Sequence, residues 1–145
     1  MHNTSVSFCY RISYCNIPIF HCVQVAKRTK RLSMPYLELA AIVIALCSFG
    51  IELSNKRIIV LCDCLHVVHA LNSLSSPNEP LIDLVRGVVV WCMDNNMSVK
   101  LKHIATNDNC LADPISRNQI DLFHKKAPFA LKEPIPVSLP KWIGW

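Results

Sequence analysis

The sequence predicts an α/β fold, and three stretches predict it. Lys56-Arg57-Ile58-Ile59-Val60-Leu61-Cys62-Asp63 is a short, continuous apolar run bounded by charge, the pattern of a strand covered on both faces of a sheet. Ahead of it, Leu39 to Ile51 is uncharged, apolar and long enough for a helix. Behind it, Leu81, Leu84, Val85, Val88, Trp91 and Cys92 recur at helical spacing and lead into a second, alternating strand. Helical and strand periods thus take turns along the chain, as they do when helices pack on a sheet.

The size and composition suit one domain: 145 residues, 52% of them apolar, which argues against disorder. The net charge of +5 fits a phosphate-rich partner and equally fits ordinary solubility charge. Eight cysteines (9, 15, 22, 47, 62, 64, 92, 110) show no paired Cys-x-x-Cys spacing, and several fall in predicted core elements. They read as reduced, buried thiols, and the cytoplasm or nucleus is the expected compartment. The apolar run Leu39 to Ile51 is too short to span a bilayer, and Arg11 with its polar neighbours breaks any signal-peptide core near the N-terminus.

Taken in order, Met1 to Val25 is rich in β-branched, aromatic and cysteine residues and predicts two or three short strands. Ala26-Lys27-Arg28-Thr29-Lys30-Arg31 is a basic cluster, a solvated loop or a phosphate contact. Ser33 can cap a helix and Pro35 suits its first turn. On that helix Glu38 has Met34, Pro35, Ala41, Ile42 and Ala45 as neighbours, so a carboxylate projects from an apolar stripe. Left without a cation it must protonate or pay several kcal/mol, roughly the cost of an unpaired buried charge.

Asp63 stands at the carboxyl end of the first α/β strand, where open sheets keep their ligands. It also reads as the N-cap of a short helix over Cys64 to Asn72. Cys62, Cys64, His66 and His69 invite a zinc reading, but their spacing matches no usual structural site. Ser73 to Pro80 is turn chemistry, and a helix from Leu81 to about Asp94 stops at Asn95-Asn96. In Met97 to Ile104, Val99, Leu101 and His103 point one way while Ser98, Lys100 and Lys102 point the other. Asp113-Pro114 reads as an N-cap followed by a first-turn proline. From Asn118 the chain turns basic and proline-rich and predicts an extended tail, whose Trp142 and Trp145 either dock on the domain or stay exposed.

Three acids, one on a helix, one at a strand end and one after a second strand, form an oxygen-donor set of the kind magnesium prefers. Around them, Leu37-Glu38-Leu39-Ala40, Cys62-Asp63 with Val67-Val68, and His103 with Asn109, Ala112-Asp113 and Ser116-Arg117 follow in a specific order. Phe123, Ala127-Pro128 and Pro134-Ile135-Pro136 add weaker similarity. From about Ser33 onward the chain resembles the ribonuclease H domain that follows reverse transcriptase in retrotransposon polymerases, most of all those of tyrosine-recombinase (DIRS-type) retroelements.

The resemblance implies a ribonuclease H-like mixed sheet flanked by helices, with the N-terminal strands diverged or truncated. It divides the chain into a diverged or non-homologous segment (1–32), a ribonuclease H-like domain (33–118) and a basic, proline-rich tail (119–145). The activity it implies is metal-dependent endonucleolytic cleavage of RNA in RNA/DNA hybrids, with two Mg2+ ions or Mn2+ in their place. Glu38 would bind the ion on the leaving-group side, Asp63 would coordinate and orient it, and Asp113 would hold the ion on the nucleophile side. His103 would assist proton transfer or product departure, Asn109 would contact the hybrid, and Lys100 and Lys102 would meet a nucleic-acid backbone. The implied partners are a hybrid or other nucleic acid and a reverse transcriptase domain in a longer polyprotein, with no membrane.

The chain departs from the family at one telling place. The family carries a further aspartate on its first strand, and residues 1 to 37 here contain no Asp or Glu. Cys64 and Ala105-Thr106 also stand where the family often has Asn and Pro-Gly. The metal site is therefore expected to be incomplete and cleavage impaired. The competing expectation is a catalytically inactive nucleic-acid-binding module or a retroelement remnant.

Overall fold

A computed structural model describes residues 4–11, 18–25, 33–108, 110, 114, 117, 119–128, 132 and 140–143. The chain forms two compact units, one of Met1–Leu32 with Ala105–Val137 and one of Ser33–Ile104 with Ser138–Trp145. The basic cluster at 26–31 lies outside the described residues.

In the first unit, strands β1 (Thr4–Arg11) and β2 (Pro18–Val25) pair antiparallel, with Thr4 opposite Val25 and Arg11 opposite Pro18. The N-terminal stretch thus forms strands, as its β-branched and aromatic content predicts. The same unit holds a helix over Ile120–Lys126, where the sequence reading expected an extended tail. Two forces favour that helix over extension. Phe123 and Ala127, four residues apart, are wholly buried, and His124, Lys125 and Lys126 complete its last turn, where cations suit the helix dipole.

The second unit is built around α1 (Met34–Ser48). Ser33 caps it, its hydroxyl accepting the Tyr36 N–H at 3.4 Å, and a proline sits in the first turn. Tyr36, Leu37, Leu39, Ala40, Ala41, Val43, Ile44 and Leu46 are all buried, so the helix is covered on most of its circumference. A helical turn, α2 (Gly50–Leu53), then leads into β3 (Arg57–Cys62). The helices α3 (Leu65–Ser73) and α4 (Glu79–Asp94) both pack against α1, and β4 (Ser98–His103) closes the unit.

Helix α4 starts two residues earlier than its apolar stripe suggests. The Asn78 side chain accepts the Leu81 N–H at 3.1 Å, which places Pro80 in the first turn instead of the preceding loop. Its stripe is the expected one, with Leu81, Leu84, Val85, Val88 and Cys92 buried and Trp91 half-buried. It ends at Asn95, with Asn96 in the left-handed region at φ 50°.

Strands β3 and β4 run parallel, Arg57 opposite Ser98 and Cys62 opposite His103. The prediction that β3 is covered on both faces is corrected here. Ile58, Val60 and Cys62 face inward, whereas Ile59 is 70% and Leu61 57% exposed, because the helices of this unit pack on one face of the sheet only. On that outer face Ile59 lies opposite Lys100 and Leu61 opposite Lys102.

A side chain completes the far edge of β4. The bonds from Ser98 N to Lys56 O and from Ile104 N to Cys62 O turn the even-numbered residues of β4 toward β3 and the odd-numbered ones outward. Leu101 therefore presents its N–H and C=O away from the sheet, and Asn72 on α3 meets both, its Oδ1 accepting at 3.0 Å and its Nδ2 donating at 2.8 Å. This amide does the work of one residue of an added strand. Asn72→Ala should lower unfolding stability by about 2 kcal/mol, roughly two net hydrogen bonds. Urea unfolding checks it, and a change under about 0.5 kcal/mol, the size of an ordinary surface substitution, would remove the role.

Candidate functional site

At the carboxyl end of β3 two of the predicted site residues, Glu38 and Asp63, come within electrostatic reach of each other. Glu38 stands half-buried one turn into α1, on the stripe that Pro35, Ile42 and Ala45 also share as half-buried residues. Between Tyr36 and Leu46 the rest of α1 is buried in the core, so this stripe is the part of the helix's middle that remains partly accessible. Asp63 follows β3 directly and is also half-buried.

The two carboxylates feel each other. The Glu38 carboxyl is pushed above the usual glutamate range, first by burial and then by the negative charge of Asp63. Two like charges in a partly desolvated setting raise the proton affinity of at least one, and a cation between them would relieve the same strain.

The N-cap reading of Asp63 does not hold in the structure. Cys64 occupies the N-cap position of α3 and makes no side-chain capping bond. The Cys64 N–H instead donates to the Cys62 sulfur at 3.4 Å. That sulfur is buried, and burial foremost pushes the Cys62 thiol up to about 11, so it stays a thiol at neutral pH. Cys47 is pushed up to about 11 by burial and by Cys92, whose own thiol burial also raises. Cys47, Cys62, Cys64, Cys92 and Cys110 are all free, as the spacing predicted.

His103 ends β4 opposite Cys62, which puts it on the strand next to the one that delivers Asp63. It is exposed. Lys100 and Lys102 are exposed on the outer face with Arg57, and no acid shares that face of the two strands. Asp113 and Asn109 lie outside the described residues, as does the capping role read for Asp113; their neighbour Pro114 is buried.

The zinc reading finds no support, since Cys62 points into the core while His66 and His69 are exposed on α3. Among the described residues no group of three or more His, Cys, Asp or Glu is placed to hold a metal ion. The Glu38–Asp63 pair on its own still suits one hard cation. Magnesium is commonly bound by one or two carboxylates together with water and substrate phosphate.

Sequence reasoning overlooked Asn72. An exposed asparagine on a short helix carries no periodic signal, and its role shows only once β4 is seen to have no strand beside it on that side among the described residues.

Comparison with known families decides the lineage. The model of a family described as reverse transcriptase-like matches residues 19–118, well over half of the chain. The chain belongs to that family. This is a ribonuclease H-like family, and the mixed α/β unit with its small parallel sheet and flanking helices is compatible with that fold. The match begins within β2, ahead of the stretch on which the resemblance was first seen. No curated protein and no solved structure matches. Among the described residues no helix is long and apolar enough to cross a membrane.

The Glu38 carboxyl gives this site a pH signature. Its proton is held more tightly in the folded chain than in the unfolded one, so its contribution to stability is full below the ordinary glutamate range and is lost as pH rises through the raised value. Glu38→Gln should therefore match the parent in stability at acid pH and exceed it at neutral pH. Thermal melts of both chains from pH 4 upward check this; parallel curves would contradict it.

Proposed function

We propose that this chain is the ribonuclease H-like domain of a retroelement reverse transcriptase, of the tyrosine-recombinase (DIRS) kind, and that it engages RNA/DNA hybrids. In this reading Glu38 and Asp63 hold a divalent cation at the carboxyl end of β3, and cleavage of the RNA strand is weak. The observation that carries it is the half-buried Glu38 carboxyl, held above the usual glutamate range by burial first and by the charge of Asp63 second. The family match supports the lineage and nucleic acid as the partner.

The chemistry that magnesium or manganese supplies in such sites is charge stabilisation at the reacting phosphate. The chain's own residues have separable tasks. Glu38 offers its carboxylate from a helix that the core holds rigid, so the donor is fixed before substrate arrives. Asp63 offers the second carboxylate from the strand end. His103 is exposed on the neighbouring strand, opposite Cys62, and in this reading it accepts or gives a proton. By the family resemblance, Asp113 adds a third carboxylate and Asn109 a hybrid contact. Lys100 and Lys102 make phosphate contacts whose strength falls with salt. Weak cleavage follows from the absence of any acid in residues 1 to 37.

A second reading, a binding module without nuclease activity, is favoured by a different observation: among the described residues no group of three or more His, Cys, Asp or Glu is placed to hold a metal ion. One set of assays separates the two. An end-labelled hybrid incubated with Mg2+ or Mn2+ should be cut slowly by the parent, and cutting should fall at least tenfold in Glu38→Gln and Asp63→Asn. Cutting that both variants retain would overturn the site. Absence of cutting, with salt-sensitive hybrid binding that EDTA does not alter, would establish the binding module. In either case Lys100→Ala with Lys102→Ala should weaken binding and flatten its salt dependence, by about one unit of slope per lost phosphate contact.

A further inference from the structure

Gly87 sits in the interior of α4, where glycine is a poor helix former and alanine would serve the helix better. Its neighbourhood gives a reason for it. A β-carbon placed at residue 87 would stand 2.4 Å from Cζ3, 2.7 Å from Cε3 and 3.0 Å from Cη2 of Trp142, far inside van der Waals contact. The six-membered part of the indole therefore occupies the space that any side chain at 87 would fill.

Trp142 lies in a short 3-10 turn, Lys141–Ile143, and the segment Ser138–Trp145 belongs to the same compact unit as α4. The ring is 42% exposed, so it lies on the helix and is not swallowed by the core. One turn further along the same face, Val90 is 57% exposed and extends the apolar ground beside the seat.

We propose that Gly87 is a binding seat for an indole, and that its occupant is the chain's own C-terminal segment, which Trp142 clasps onto α4. A flat aromatic ring gains much contact area for few frozen rotations, and a glycine lets it reach close to the helix backbone. The seat recognises the ring and not its covalent connection, so it also takes the same segment offered as a separate peptide.

Four full-length chains test this: the parent, Gly87→Ala, Trp142→Ala and the double variant, each melted thermally. With Trp142 present, Gly87→Ala should lower the melting temperature, because the new methyl evicts the ring. In the Trp142→Ala background the same substitution should raise it, because alanine improves the helix and nothing is left to clash. This change of sign identifies the seat; Gly87→Ala raising the melting temperature equally in both backgrounds would overturn it. If Gly87→Ala alone fails to fold, recovery of folding in the double variant supports the clasp, and failure of both overturns it. A synthetic peptide of residues 138–145 should raise the melting temperature of Trp142→Ala and leave the double variant unmoved; equal shifts or none in the two would overturn recognition in trans.

Discussion

The burial of α1 is the constraint on which the rest of the second unit depends. A helix that buries Leu37, Leu39, Ala40, Ala41, Val43, Ile44 and Leu46 together has almost no face to give to water, so other elements must surround it. Fully burying one Leu or Ile contributes about 1.5–3 kcal/mol, enough that no arrangement leaving α1 at the periphery competes. Helices α3 and α4 supply that cover. The one acid on α1 is thereby committed to the half-buried stripe, where it meets the field of Asp63. A carboxylate in that position costs stability. Perturbed carboxyls of this kind gather at functional sites, and structural networks perturb carboxyls too.

Much of this could be read from the residues alone. The α4 stripe, the β4 alternation and the Ser33 cap are local patterns, and the structure keeps each. Glu38 and Asp63 stood out because an acid in an apolar stripe and an acid ending an apolar strand both violate the local rule, and such violations gather at functional sites. What the sequence could not supply were relations between distant segments. That Asn72 completes β4 depends on which way Leu101 faces. The helix at Ile120–Lys126 was hidden by the prolines around it, because composition over a long window outweighed the Phe123 and Ala127 pattern within it. The exposure of Ile59 and Leu61 has the same character: an apolar run reports that a strand is apolar on both sides, not that both sides are covered.

The family match and the missing acid pull in different directions. The match covers residues 19–118 and sets the lineage, while the stretch that should carry a first-strand carboxylate carries none. A fold tolerates that loss easily, since a core formed by α1, α3, α4 and β4 does not involve it. Catalysis tolerates it poorly, because each carboxylate removed from a metal site lowers both charge and geometric definition. The outer face of the sheet, with Arg57, Lys100 and Lys102 and no acid, is indifferent to the loss, so phosphate attraction can outlast cleavage in such a chain.

The proposed site stands on Glu38 and Asp63 acting as one carboxylate pair. The most direct measurement is the titration of the Glu38 side-chain carboxyl carbon by NMR in the parent, in Asp63→Asn, and in the parent with saturating Mg2+. The Glu38 pKa is expected above the usual glutamate range in the parent, falling toward that range when Asp63 loses its charge and falling again when the cation is added. A Glu38 that titrates in the ordinary range, or that responds to neither change, would contradict it.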